Sequence, residues 1–149
     1  MMLKKVYLAG GFRSGWQEKV KEACKTKARN SEAFLMWGDP PMFNWEDPFA
    51  KERGEFAEER VWTAKEYTKL DLFMIDQSDV VFCYLEKDNP GLGLIAECGY
   101  AIGKGKAVIL VRETPHEVHT DRYLDFLEEM CTITFDKLED GITFLKTFA

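Results

Sequence analysis

The sequence predicts an α/β protein, a flavodoxin-like (Rossmann-like) three-layer sandwich with a five-stranded parallel sheet. Three observations point there. Short β-rich runs alternate with helical patterns along the whole chain, as parallel strands joined by crossover helices do. One run, Asp79 to Leu85 (DVVFCYL), is apolar after its first residue, as a strand buried on both faces must be. The chain has 149 residues, 46% of them hydrophobic and 13% aromatic, enough for one packed core and too apolar for a disordered chain.

The elements follow in order. Lys4 to Ala9 reads as a first, central strand, ended by Gly10-Gly11. Ser14-Gly15-Trp16-Gln17 fits the S-x-x-Q capping box, which opens a helix to about Lys27 with Val20, Ala23 and Cys24 on one face. Phe34 to Trp37 is a second strand. Gly38 to Lys51 holds Pro40, Pro41 and Pro48 among Phe43, Trp45 and Phe49, which no helix or central strand tolerates. Such a loop is usually functional; the alternative is aromatics folded back onto the domain as a hydrophobic flap, and both hold if the flap covers a planar ligand. Glu55 to Asp76 reads as a long helix, Asp79 to Leu85 as the third strand, and Glu86 to Gly91 as a loop. Leu92 to Gly103 is a helix ended by Gly103 or Gly105, and Ala107 to Val111 a fourth strand. Asp121 to Met130 looks helical, Cys131 to Phe135 is a fifth strand, and Lys137 to Phe148 a closing helix. With no repeat, low-complexity tract or linker, residues 1–149 read as one domain. In such sheets ligands bind beyond the carboxyl ends of the strands at the switch point, where the loops after Ala9, Leu85 and Val111 converge.

Composition narrows the function. A formal net charge of −6 repels a polyanion, so no nucleic acid polymer is expected as a partner, although one local site can still hold a small anion. Met1 to Lys5 runs straight into a strand-like segment, so no signal peptide is read there. Nothing approaches the ~18 consecutive apolar residues of a membrane span. The expectation is a cytoplasmic protein with no membrane contact. Cys24, Cys83, Cys98 and Cys131 are scattered, as reduced thiols in a cytosolic protein are. His116 and His119, in H-E-V-H, are one residue too close for the zinc motif H-E-x-x-H and read as loop or helix-start residues, so no metal is expected. Gly91-x-Gly93 lacks the third glycine of a dinucleotide fingerprint, and Gly103-Lys104-Gly105-Lys106 lacks a P-loop's spacing, so no cofactor is expected either.

Two carboxylates stand in apolar places. Glu97 is the only charge in the helix from Leu92, and its helical neighbours Gly93, Leu94, Tyr100 and Ala101 include no cation. Burying a carboxylate there is unfavourable unless something specific compensates. Read as lying near the helix N-terminus, Glu97 would be kept ionised by the dipole, as a nucleophile needs. The alternative is a glutamate on a narrow exposed stripe. Asp71 interrupts a stripe of Val61, Ala64, Thr68 and Ile75. A buried acid there has a raised pKa and can carry a proton; otherwise the helix is turned so that Asp71 meets water. A nucleophile and a proton carrier are what displacing a base from C1′ of a sugar requires.

These residues resemble the nucleoside 2-deoxyribosyltransferase family. The match runs from Val61 to Val111: VW-x-A-x-x-Y, Asp71-Leu72, Asp79, GLG, E-x-GYA and GK-x-V-x-LV, with Val6-Tyr7-Leu8-Ala9-Gly10 as the family's first strand. The resemblance implies a homo-oligomer, dimer or higher, that acts on a nucleoside or nucleotide and a nucleobase. In it Glu97 attacks C1′ to form a covalent glycosyl-enzyme, Asp71 protonates the departing base, and Tyr7 orients Glu97; the alternative for Tyr7 is an ordinary strand aromatic. Two positions depart from the family pattern. Gly91 stands where an acidic residue is usual, the nearest upstream polar residue being Asn89, and no clear counterpart of an asparagine lent by a neighbouring subunit is found. The segment Tyr7-Leu-Ala-Gly10-Gly11-Phe-Arg13-Ser14-Gly15 is similar to the first loop of the related 2′-deoxynucleoside 5′-phosphate N-hydrolases. There the matching Arg and small residues hold a 5′-phosphate, as an Arg fork beside free N–H groups can. Substrate contacts are therefore expected from Gly10, Gly11, Arg13, Ser14, Asn89, Gly91 and Gly93. Transfer of a 2-deoxyribosyl group is the leading expectation. Hydrolysis of 2′-deoxynucleoside 5′-monophosphates and a non-catalytic nucleotide-binding module are the alternatives.

Overall fold

The computed structural model describes residues 4–11, 14–25, 35–38, 64–87, 92–113 and 118–148. Five strands form one sheet: β1 (Lys4–Ala9), β2 (Leu35–Gly38), β3 (Val80–Leu85), β4 (Ala107–Arg112) and β5 (Ile133–Phe135). Their order is β2-β1-β3-β4-β5, and every pairing is parallel. The helices are α1 (Trp16–Lys25), α2 (Ala64–Asp76), α3 (Leu92–Gly103), α4 (Val118–Met130) and α5 (Leu138–Leu145), followed by a 3₁₀ turn at Lys146–Phe148.

The two-residue period of the strands sorts the core into two layers. Val6, Leu8, Phe82, Tyr84, Ile109 and Val111 face α1 and α5, meeting Trp16, Val20, Leu138 and Ile142. Tyr7, Ala9, Val81, Cys83, Val108 and Leu110 face the other way, onto Ile75 of α2, Leu94 and Cys98 of α3, and Leu124 of α4. A central strand covered on both sides leaves no exposed residue, and all six positions of β3 are buried.

The expected elements hold with shifted ends. α4 starts three residues before the expected Asp121, and β5 starts at Ile133 because Cys131 still donates to the Leu127 and Glu128 carbonyls at the end of α4. The reciprocal capping box does not form. The Ser14 hydroxyl donates instead to Glu86, and the Gln17 amide donates to the Gly11 carbonyl at 3.0 Å. The indole N–H of Trp16 donates to the same carbonyl at 2.8 Å and takes the place the box would have filled at the root of α1. Asp79 ties the start of β3 to β1. Its carboxylate accepts from Lys5 N–H at 2.8 Å, and its own N–H donates to the Lys5 carbonyl at 2.9 Å. The Pro-rich stretch beyond Gly38, the first part of the expected helix from Glu55, and His116 lie outside the described residues.

Two glycines are fixed by their surroundings. At Gly10 (φ 155°) a side chain would meet the Trp16 ring and the Tyr84 carbonyl, both at 2.8 Å. In α5, a Cβ on Gly141 would stand 2.4 Å from Cγ2 of Val111 and 3.2 Å from the Phe82 ring. Gly141→Ala should therefore lower stability by about 1–2 kcal/mol: overpacking by a methyl costs about 1–3 kcal/mol, and the better helix propensity of alanine recovers up to about 1. Gly103→Ala, with nothing within 4 Å, should lose nothing. Urea unfolding of the two variants measures the contrast.

Candidate active site

Tyr7 comes from the middle of β1 and is fully buried. Its position on the face toward α2, α3 and α4 follows from strand alternation. Asp71 lies on α2, one turn before the fully buried Ile75, and is itself 5% exposed. Glu97 is the sixth residue of the twelve-residue α3, one position from the buried Cys98 and a turn from Leu94 and Ala101. The hydroxyl oxygen of Tyr7, Oδ1 of Asp71 and Oε2 of Glu97 are all out of contact with water. Each of the three expected catalytic residues thus has a buried oxygen, and all three belong to elements that pack on the same side of the sheet.

One expectation about Glu97 is corrected. It stands mid-helix, not near the N-terminus, and the dipole's influence fades beyond the first turn. Its setting is determined by packing instead. The Asp71 alternative resolves toward burial, although Thr68 on the same expected stripe is exposed. Burial pushes the Asp71 carboxyl up from 3.8 to about 6, because a charge without water is disfavoured. No hydrogen bond to its Oδ1 is formed among the described residues. All four cysteines are free thiols; Cys98 Sγ lies 3.7 Å from Cys131 Sγ. That contact favours the Cys98 thiolate, but hydrogen bonding with Cys83 and burial outweigh it and push the Cys98 thiol up, while the contact with Cys98 and burial push the Cys131 thiol up. Among the described residues no group of His, Cys, Asp and Glu could hold a metal ion.

The expected substrate-binding residues divide. Gly10, Gly11 and Ser14 lie in the loop between β1 and α1, and Gly93 is exposed in the first turn of α3. Arg13, Asn89 and Gly91 lie outside the described residues. A cavity of about 340 Å³ at the carboxyl edge is lined by Ser14, Gly15, Trp16, Tyr84, Glu86 and Glu113, with Lys19, Lys87 and Leu138 completing it. This cavity opens toward α1 and α5, and its lining does not include Tyr7, Asp71 or Glu97. The two groups therefore flank the switch point from opposite faces of the sheet, since the chain leaves β1 toward α1 and leaves β3 toward α3.

Sequence reasoning missed what ties these loops together. Tyr84 donates its hydroxyl to Glu113, and the Lys87 N–H donates to the other oxygen of Glu113 at 3.2 Å. Glu86 takes the Ser14 hydroxyl from across the crevice. Buried Arg112 at the end of β4 pairs with Asp125 at 2.9 Å and Glu128 at 3.1 Å, anchoring α4 to the sheet. The placement of Glu86 and Glu113 directly after strands β3 and β4 was the signal available.

Comparison with known proteins decides the lineage. The family model described as nucleoside 2-deoxyribosyltransferase matches residues 6–141. The chain belongs to the nucleoside 2-deoxyribosyltransferase family. A nucleoside deoxyribosyltransferase of Lactobacillus leichmannii is 30% identical over 113 residues, covering 74% of this chain and 71% of that protein. Among solved structures, a conserved protein from Enterococcus faecalis V583 matches with a TM-score of 0.69 at 15% identity, covering 99% of each chain. A 2-desoxiribosyltransferase from Leishmania mexicana matches at 0.59 and 17% identity, over 97% of each chain. A Clostridium botulinum CMP N-glycosidase matches at 0.56 and 17%, over 98% of this chain and 100% of its own. At such identities these structures speak for the fold. No helix among the described residues is long and apolar enough to cross a membrane.

Asp71 gives a stability prediction with a definite sign. Its pKa is higher folded than unfolded, so the native state tolerates the protonated acid below about pH 4 and is penalised as pH rises through about 6. Relative to wild type, Asp71→Asn should gain about 2 kcal/mol between pH 4 and pH 8. Denaturation midpoints of both proteins across that range measure it, and parallel curves would show an acid that ionises normally.

Proposed function

We propose that this protein transfers a 2-deoxyribosyl group between nucleobases through a glycosyl-enzyme on Glu97. The observation that carries the reading is the burial, on elements that pack on the same side of the sheet, of the hydroxyl of Tyr7 and one carboxyl oxygen each of Asp71 and Glu97. Two carboxyl groups with different roles suit double displacement at an anomeric carbon. One oxygen of Glu97 attacks C1′; the C1′–O bond forms as the bond to the base nitrogen breaks. Asp71, whose carboxyl binds its proton up to about pH 6, gives that proton to the departing base. Its carboxylate then takes a proton from the incoming base nitrogen, which attacks C1′ and frees Glu97. Tyr7 orients the Glu97 carboxylate. None of these steps calls for a metal or cofactor.

A second reading draws support from the other face of the switch point. If the Gly10–Ser14 loop with Arg13 holds a 5′-phosphate, water replaces the acceptor base and the reaction is hydrolysis of a 2′-deoxynucleoside 5′-monophosphate. The cavity beside that loop is lined by Lys19 and Lys87, yet Glu86 and Glu113 line it too. Those carboxylates, together with the longer Val61–Val111 match, favour the uncharged nucleoside. The same chemistry suits a small-molecule enzyme of the cytoplasm working as a homo-oligomer. Substrate contacts are assigned to Gly10, Gly11, Arg13, Ser14, Asn89, Gly91 and Gly93.

Incubation with deoxynucleosides and with their 5′-monophosphates, with and without an acceptor base, separates the readings. Base exchange without net hydrolysis is expected from nucleosides; release of free base from monophosphates alone would move the assignment to the hydrolases. Glu97→Gln should reduce either reaction by several orders of magnitude while the protein stays folded. Near-normal turnover in that variant would end the proposed mechanism. For donors whose base must be protonated, kcat/KM should fall as pH rises above about 6, the pH at which Asp71 loses its proton. A flat profile in a pH series would assign the proton to another group.

A further inference from the structure

Three residues of the family-like motifs have no part in the mechanism above: Tyr100 of E-x-GYA, and Gly105 and Lys106 of GK-x-V. The structure brings all of them to one place, the C-terminus of α2. The Tyr100 hydroxyl donates to Oδ1 of Asp76, the last residue of α2, at 2.8 Å. Lys104 Nζ lies 3.7 Å from the same oxygen and 5.4 Å from the centre of the Tyr100 ring. Lys106 Nζ donates to the Asp76 backbone carbonyl at 2.9 Å.

Helix physics explains the arrangement. The last carbonyls of a helix lack intrahelical partners and carry a partial negative charge. α2 has no basic residue in its own last turn, so α3 and the turn after it supply the cations. Gly105 makes this possible. Its φ of 74° reverses the chain after α3, with Gly105 N–H on the Ile102 carbonyl and Lys106 N–H on the Ala101 carbonyl, both at 3.0 Å.

The clamp sits close to the chemistry. Both helices run against a wholly parallel sheet, so they run the same way. At a rise of about 1.5 Å per residue, Asp71 stands about 7.5 Å before Asp76 along α2, and Glu97 about 4.5 Å before Tyr100 along α3. The Tyr100–Asp76 bond therefore ties the two helices together about one turn from each carboxyl residue.

We infer that Tyr100 is a positioning residue: with Lys104 and Lys106 it clamps Asp76 and thereby fixes the height of the proton donor Asp71 relative to the nucleophile Glu97. The inference rests on the proposed roles of those two residues. Half an ångström of slip between packed helices degrades proton transfer, because a general acid works only within hydrogen-bond reach.

The test is Tyr100→Phe, which removes one oxygen atom and keeps the ring, with Asp76→Asn as a second variant that keeps an acceptor and removes the charge. On a donor with an ordinary base, kcat should fall about tenfold in Tyr100→Phe and less in Asp76→Asn. On a 7-methylpurine deoxynucleoside, whose cationic base departs without a proton, the fall should be twofold or less. Tyr100→Phe combined with Asp76→Ala should lose no more than either alone. Equal losses on the two donors would overturn the positioning role. Amide exchange needs no turnover and reads the clamp itself. Exchange across the second half of α2 should quicken in Tyr100→Phe while α4 is unaffected; an unaltered α2 would overturn the clamp. If wild-type protein cleaves neither donor, the proposed function fails, and the exchange result still decides whether the clamp exists.

Discussion

One oxygen each of the Asp71 and Glu97 carboxyls is kept from water on one side of a β-sheet, and the rest of the structure depends on that constraint. Ordinary folding would place Asp71 and Glu97 at the surface, since an isolated buried carboxylate is strongly disfavoured. Here Ile75, Leu94, Cys98 and Ala101 surround their positions, and the sheet beneath contributes Tyr7. The free energy lost in that layer must be made good elsewhere. The opposite layer is built mainly from apolar side chains, with Trp16, Phe82, Tyr84 and Ile142 in one cluster and Gly141 letting α5 approach the sheet closely. Fully burying a large apolar side chain is worth roughly 1.5–3 kcal/mol, so a handful of such residues offsets the desolvation of a buried carboxyl.

The sheet also explains why the site is split. β1 and β3 are neighbours, yet the chain leaves them toward opposite faces. The loop that follows β1 and the helix that carries Glu97 therefore approach the switch point from opposite sides. Glu86 and Ser14 join hands over this crevice.

The strands and helices were legible because burial leaves a strong periodic trace. The uninterrupted apolar run of β3 and the Leu92–Gly103 helix were read at nearly their true bounds. Glu97 and Asp71 were legible as charges where the period demands an apolar residue. What sequence reading missed depends on contacts made across the fold. The capping box was read from local spacing, but Glu86, brought in from the end of β3, captures the Ser14 hydroxyl first. The helix start at Leu92 was read correctly, but Glu97 is its sixth residue, beyond the first turn in which the dipole acts. The Tyr100–Asp76 bond joins residues 24 apart on different helices, and no local pattern announces it.

The central claim is that Glu97 becomes covalently bonded to the sugar. Acid-quenched enzyme, mixed for milliseconds with excess deoxynucleoside in the absence of acceptor, should show by intact-protein mass spectrometry a fraction heavier by one deoxyribosyl group. Peptide mapping should place that group on Glu97. A product-forming enzyme whose adduct lies on any other residue, or whose Glu97→Gln variant forms the adduct as fast as wild type, would contradict the account.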